Sequence, residues 1–342
     1  MSELEKREMH FATILDRGEA LLLQQHPASK TIDEHLQALQ SQWSWLLQLT
    51  LCLEVHLKHA TEYHSFFAEV KDAEAWLAKR DDILNTKYSQ SEFGLDQGES
   101  LLRGMQDIRE ELNTFGETVQ LLQQRAQIVV PLKQRKQPVN RQSQVQSICA
   151  YKQGGAVNLE KNETCTLVDT SGRVKWRVRT NKNVEGTVPG VCLLLPPPDS
   201  EAIEAAERLK RLFDRTVALW QKKQLRLRQN MIFATIKVVK GWDFDQFLAM
   251  GAEQRTAIRR ALNDDADKLL AEGDPTDPQL RRLRREMDEV NRLFDEFEKR
   301  ARAEGEFQVF FFEVFIATSK KTGIFPLSQL FLHILCFPTL ID

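Results

Sequence analysis

The sequence predicts a mainly α chain of long helices in tandem bundles, interrupted by one small inserted all-β module. Three observations carry this. Apolar residues recur at alternating three- and four-residue spacing over long stretches. Glycine and proline are scarce, 15 and 11 in 342 residues. Short β-like segments crowd together in one place only, between residues 143 and 198. The composition agrees, since 28% charged and 42% hydrophobic residues with a mean hydropathy of -0.41 supply both core material and water-facing helix surface. A net charge of -2 gives no global field that would draw the chain to nucleic acid or an anionic membrane. The opening MSELEKREMH is polar and lacks the apolar core of a signal peptide. Five cysteines, an odd number without a CxxC pair, point to reduced thiols and a cytoplasmic setting.

The helices come first. Ile32, Leu36, Leu39, Trp43 and Leu46 share one seam, and Tyr63, Phe66, Val70, Ala73 and Leu77 continue the spacing. From Ile32 to Leu84 there is neither Pro nor Gly, so one helix is expected throughout, with HPASK (26–30) as the turn before it and SQSEFG (89–94) after it. Leu101, Met105, Ile108, Leu112, Phe115, Val119, Leu122 and Ala126 then keep an unbroken 4-3 spacing, which keeps one seam of a helix against a partner. After residue 200 the pattern returns in Ala206, Leu209, Phe213, Trp220, Leu227, Met231 and Ala234, with Thr216 and Gln224 as polar members. A last seam runs through Leu280, Leu283, Met287, Val290, Phe294, Phe297 and Ala301, preceded by the proline-bounded loop EGDPTDP.

Repetition turns these helices into an architecture. Trp43 and Trp220 both stand in mid-helix, and removing an insert of residues 131–198 from their separation leaves roughly 109 residues, close to one spectrin repeat. AEAWLAKR around Trp76 resembles the first helix of such a repeat and the LW at Trp220 its third. Trp43, Trp76 and Trp220 are expected as core anchors, each covering about 200 Å² of apolar surface. The third helix of one repeat would then run unbroken into the first helix of the next.

The insert opens with a basic connector, PLKQRKQPVNRQ, read as a solvated linker. VQSICAYKQ, ETCTLVD, VKWRVRT and GTVPGVCLL follow as short strands separated by turn residues, a spacing suited to a small five-stranded barrel. The order SICAY, NETCTLVD, KWRV, GTVPGVCLLLPPPD resembles the SH3 domain embedded in the plakin domain. The flanks HPASKTIDEHLQALQSQWSWLLQL and RQNMIFATIKVVKGWDF resemble spectraplakins, relatives of dystonin, plectin and the microtubule–actin cross-linking factors, over roughly residues 5–305. The resemblance implies tandem three-helix spectrin repeats forming a rod. Its boundaries would be the C-terminal part of one repeat in 1–60, a repeat split into 61–130 and 199–233, an SH3-like domain in 143–198, and a partial repeat in 234–305.

An SH3 groove grips a proline-rich helix with a row of aromatics. Laid on the family motif, this chain keeps Tyr151 and Pro189. The other groove tyrosines fall on Cys149 and Cys192, and the ligand-facing tryptophan falls on Lys175, with Trp176 in the packing position. KQGGAVNLEK offers one glutamate where the acidic loop would stand. The surface around Tyr151, Lys175 and Pro189 is therefore expected to have lost its peptide and to rest on the repeat junction near 55–67, where Tyr63, Phe66 and Phe67 cluster. Cys149, Cys165 and Cys192 read as small buried apolar residues, without the fourth ligand a zinc site needs.

Residues 306–342 leave the pattern for an apolar, aromatic tail outside the resemblance, with an exposed cluster at Phe310, Phe311 and Phe312. Its longest uncharged run, Thr322–Ile341, contains Pro326 and Pro338 and is poor material for a membrane span. No nucleotide-loop, serine-hydrolase or zinc-protease motif occurs, and His56 and His59 share a helix face where no acidic or thiol partner is expected at ligand spacing. No enzyme, cofactor, metal, nucleic acid or small-molecule substrate is expected. The resemblance implies a structural linker at the cell cortex and junctions, whose partners are cytoskeletal and junctional adhesion proteins, with the membrane reached only by association. The chain has no stretch resembling actin-binding calponin-homology domains, plakin repeats or a microtubule-binding tail, so it is not expected to cross-link filaments by itself. A peptide-binding SH3 adaptor is the alternative, which the altered groove disfavours. A Rho-exchange scaffold is set aside because no exchange domain fits the remaining residues.

Overall fold

A computed structural model describes residues 2–137, 143–152, 157–274 and 276–322. Thr322 is the last of these, so the rest of the uncharged run to Ile341 and the fifth cysteine, Cys336, lie outside the described residues. Among those described are seven α-helices and a five-stranded antiparallel sheet. The helices are α1 (Ser2–Leu23), α2 (Ser29–Thr86), α3 (Leu95–Ala126), α4 (Ser200–Lys240), α5 (Phe244–Ala249), α6 (Ala252–Glu272) and α7 (Pro278–Thr322). The 58-residue α2 covers the whole stretch free of Pro and Gly. The chain divides into two compact units, residues 1–80 with 112–216, and 81–111 with 217–342.

In the first unit three helices meet along the seams that their spacing announces. Phe66, Val70 and Leu77 of α2 pack with Val119, Leu122 and Ala126 of α3 and with Ala202, Ala205 and Leu209 of α4. Small residues on α4 let its backbone approach the larger side chains of the other two helices. Trp76 stacks on Phe115 with ring centroids 4.1 Å apart, and Arg80 lies over its outer face. Trp76 is therefore a half-buried lid on the core and not its centre. Near the start of α2, Trp43 stacks on Phe11 of α1 at 4.7 Å.

The second unit has its own core. Trp220 is 7% exposed and its indole Nε1–H donates to the Met105 carbonyl at 2.9 Å, so burial of the ring leaves no unpaired donor. Farther along, Ile232, Ile236 and Val239 of α4 pack with Phe247 of α5, Leu262 and Leu269 of α6, and Leu283, Met287 and Phe294 of α7. The seam expected through Met231 and Ala234 is thus displaced by one or two residues. A straight helix at 3.6 residues per turn drifts off a 3.5-residue pattern, and a 41-residue helix accumulates that drift. α4 also passes residue 233 without a break. The short α5 is set by a capping box in which Asp243 accepts from the Gln246 N–H and the Gln246 side chain accepts from the Asp243 N–H. α7 runs on through the aromatic tail to Thr322, with Phe307, Phe310, Phe311 and Phe312 all exposed.

The inserted sheet has strand order β4-β3-β2-β1-β5, with β1 Ser143–Ser147, β2 Thr164–Asp169, β3 Lys175–Arg179, β4 Glu185–Pro189 and β5 Leu193–Leu194. Burial alternates along the strands, so Val145, Cys165, Leu167, Trp176, Val178 and Val188 face one interior. Gly190 has to be glycine, because a Cβ there would lie 2.9 Å from the Trp176 ring.

Candidate functional site

The chemistry of the insert gathers where its barrel meets α2, within the first unit. One buried cluster joins the barrel core to Cys52 of α2, and Trp45 and Leu49 pack against it from the same helix. Residues 45, 49, 52 and 56 fall on one face of α2 by helical spacing. Trp45 lies 5.7 Å from the Tyr151 ring at a 55° tilt, and Tyr151 is left 5% exposed. His56 Nε2 donates to the Val191 carbonyl at 2.8 Å. Burial, with Arg135 next in importance, pushes the His56 pKa below the usual histidine range, so the ring is neutral with its proton on Nε2.

Arg135 supplies the third support. It sits in the short 3-10 turn Lys133–Lys136 ahead of the barrel, and its guanidinium donates to Gly190 O and Leu193 O, each at 2.7 Å. Its plane covers Trp176 at 4.5 Å. Together with Ile148 N–H on Cys192 O, these contacts occupy all four carbonyls from Gly190 to Leu193. The turn that carries Cys192 is therefore held on every side.

The sulfur atoms of Cys52, Cys149 and Cys192 all lie within 4.8 Å of one another. Cys52 and Cys192 are fully buried and Cys149 is partly so. Burial raises all the shifted thiols, Cys52 to about 12 and Cys165 to about 11, with Cys192 raised further. Cys52, Cys165 and Cys192 are therefore thiols and not thiolates at neutral pH.

The expected site residues fall in different places. Of the groove residues, Tyr151 meets α2, Pro189 is half-buried at the end of β4, and Lys175 points to solvent. The barrel meets α2 between Trp45 and His56, overlapping the expected segment 55–67 only at His56. Tyr63, Phe66 and Phe67 belong to the helical core, because they continue the seam of Val70 and Leu77. The three thiols that converge are not the barrel's own set: Cys165 is replaced by Cys52 from the helix. Cys52 also stands one turn before His56, a thiol at helical spacing that the reading of the histidines overlooked. His59 has an acidic neighbour too, with Nδ1 3.3 Å from Glu62 Oε2, close but not aligned for a hydrogen bond.

Residues 131–196 match the family model of an SH3 domain and residues 64–130 that of a spectrin-like repeat. The microtubule-actin cross-linking factor 1 of Rattus norvegicus is 34% identical over 251 residues, 71% of this chain and 5% of that protein. Desmoplakin-A of Danio rerio is 31% identical over 248 residues, 71% of this chain and 12% of that protein. The crystal structure of a rigid four spectrin repeat fragment of the human desmoplakin plakin domain superposes with a TM-score of 0.71 at 25% identity, covering 87% of this chain and 69% of that one. The chain is similar to plakins in its spectrin-like repeats and its SH3 domain. It carries plakin-domain spectrin repeats with an embedded SH3 domain, and it spans only a small fraction of the curated relatives it matches. No helix among the described residues is long and apolar enough to cross a membrane.

Proposed function

We propose that the chain is a structural, non-enzymatic segment of a cytoskeletal linker, which lends length and docking surface between membrane adhesion sites and intermediate filaments, actin or microtubules. Its working place is the cytoplasmic cortex and junctions, and its partners are cytoskeletal and junctional adhesion proteins. Within it the SH3 module is a degenerate ligand binder that serves as a packing unit on the preceding helix. The observation that carries this reading is the cover over Tyr151. The aromatic that a proline-rich peptide would stack on is occupied by Trp45, and aromatics are missing at positions 149, 175 and 192. A ligand would have to displace a packed indole and would recover little stacking area in return. The names of the relatives, a cross-linking factor and a desmoplakin, support the linker role. The boundaries that accompany this reading are those of the sequence, with the split repeat at 61–130 and 199–233 and the partial repeat from 234.

The test is a titration of the full chain with PxxP peptides, followed by amide shifts of the barrel, alongside affinity capture from epithelial lysate. The expected result is no saturable peptide binding below millimolar, and capture of cytoskeletal and junctional proteins. Saturable shifts centred on Tyr151 and Pro189 would replace the linker with an SH3 adaptor.

A further inference from the structure

The three sulfurs of Cys52, Cys149 and Cys192 are the densest set of metal-ligating atoms among the described residues, and neither the linker reading nor the comparisons use them. One comes from a helix and two from the barrel, so the trio exists only where the two elements meet. Their supports are those of a held site. Cys52 is fixed in the long α2. The Cys149 carbonyl accepts from Ser147 Oγ at 2.5 Å, and the turn of Cys192 is clamped by Arg135, His56 and Ile148. Arg135 is a partly buried cation whose described hydrogen bonds go to neutral carbonyls, so the neighbourhood favours added negative charge.

We propose that Cys52, Cys149 and Cys192 form a three-sulfur binding site for a soft, thiophilic d10 cation, Cu(I) before Zn(II), which ties the SH3 barrel to α2. Binding breaks three S–H bonds, releases the protons to solvent and forms three metal–sulfur bonds, with no change of oxidation state. Thiolate donors select soft ions. Zn(II) calls for a fourth donor, and His56 is already engaged through Nε2 with Val191, whereas Cu(I) accepts three sulfurs. Arg135 and the clamped turn act as positioning groups, in the way outer-shell contacts hold metal ligands elsewhere. This site stands on its own geometry and does not depend on the linker reading.

The test uses the full chain, reduced and free of oxygen. Cu(I) is supplied from a chromophoric competing chelator, and Zn(II) is titrated separately against its own competitor. One Cu(I) per chain is expected, with X-ray absorption reporting three sulfur neighbours and Zn(II) bound more weakly. C149S, at the least buried of the three, is expected to lower Cu(I) affinity by more than about 10-fold. C165S, a buried barrel cysteine outside the cluster, is expected to leave it unchanged. Absorption data on the unmodified chain decide the matter even if a variant fails to fold. Absence of stoichiometric uptake, a nitrogen or oxygen donor in the first shell, tighter Zn(II) than Cu(I), equal losses in C149S and C165S, or a native disulfide within the trio would each overturn the proposal.

Discussion

The helical cores and the barrel–α2 contact are both buried, yet they are built from different materials. The bundle of α2, α3 and α4 is closed by Phe66, Val70, Leu77, Val119, Leu122 and Leu209, an all-apolar set held by shape and area. The barrel–α2 contact combines an indole, three thiols, a neutral histidine and a partly buried guanidinium. Apolar seams tolerate small slips, since one methyl group replaces another at modest cost. The polar contact has no such freedom, because each donor and acceptor must find its own partner or remain desolvated and unpaired. The bundles therefore supply stability, while the contact supplies a defined position.

The largest effects should come from the helical cores. Phe66→Ala removes a fully buried ring and Trp220→Ala removes a buried ring together with its hydrogen bond to Met105. Each is expected to cost about 3–5 kcal/mol, read as a lowered urea midpoint of the full chain. The two substitutions fall in different compact units, so their costs should add. A wild-type midpoint for Trp220→Ala would remove it as a core anchor.

This division also explains what could be read in advance. The long α2, the α3 seam and the five strands were legible because heptad spacing and two-residue alternation are local patterns. The resemblance located the altered groove at 149, 175 and 192. The partners that complete the contact were not legible, since Trp45, Cys52 and His56 lie far along the chain from Tyr151, Cys149 and Val191. The aromatic cluster at Tyr63, Phe66 and Phe67 pointed to the wrong turns of α2 for a related reason. Aromatics at seam spacing belong to the seam first, and here it claims them. The non-seam apolar face of α2 around Trp45 and Leu49 was the signal that could have found the contact.

Next in size is Arg135→Leu. It takes the guanidinium away from the Gly190 and Leu193 carbonyls, leaving Gly190 O with the Leu193 N–H alone, in a site that water reaches poorly. A cost of roughly 1–3 kcal/mol is expected, because buried acceptors that lose a donor carry that penalty. Relief from burying a cation works in the opposite direction, and Arg135→Lys separates the two terms. Lysine keeps the charge without the planar fork, so it should recover little. Full recovery by lysine would show that charge, and not the bidentate grip on the turn, is what matters there.

Trp45→Ala tests the contact from the helix side. Trp45 is only half-buried, so about 1–2 kcal/mol is expected from the area it loses against Tyr151 and the barrel. The sharper readout is where the loss falls. Hydrogen exchange should quicken around Tyr151 and Val191 while the amides near Leu122 and Leu209 stay as protected as before. Uniform loosening of both regions would mean that the barrel contact and the bundle are one cooperative core.

The smallest effect sets an exposed cation beside the partly buried Arg135. Lys240 of α4 donates to Glu286 and Glu289 of α7, each at 2.5 Å, at the edge of the second unit's core. All three side chains keep contact with water, and Glu289 is 60% exposed. The Lys240 hydrogen bond holds the Glu286 carboxyl below its usual value of 4.5, and the Glu286 hydrogen bond, with Glu289 next, raises the Lys240 pKa above its usual 10.5. A depressed carboxyl gives stability that is fully present above 4.5 and fades as pH falls through the lower folded value. A raised ammonium gives stability that is fully present below 10.5 and fades as pH climbs past the higher folded value. The pair should therefore contribute most between these limits, and solvent screening keeps Glu286→Gln below about 1 kcal/mol at neutral pH. The difference from wild type should shrink below pH 4.5 and in high salt. A difference that persists unchanged under both conditions would mean that Glu286 acts through packing, and the contrast with Arg135 would then be one of degree only.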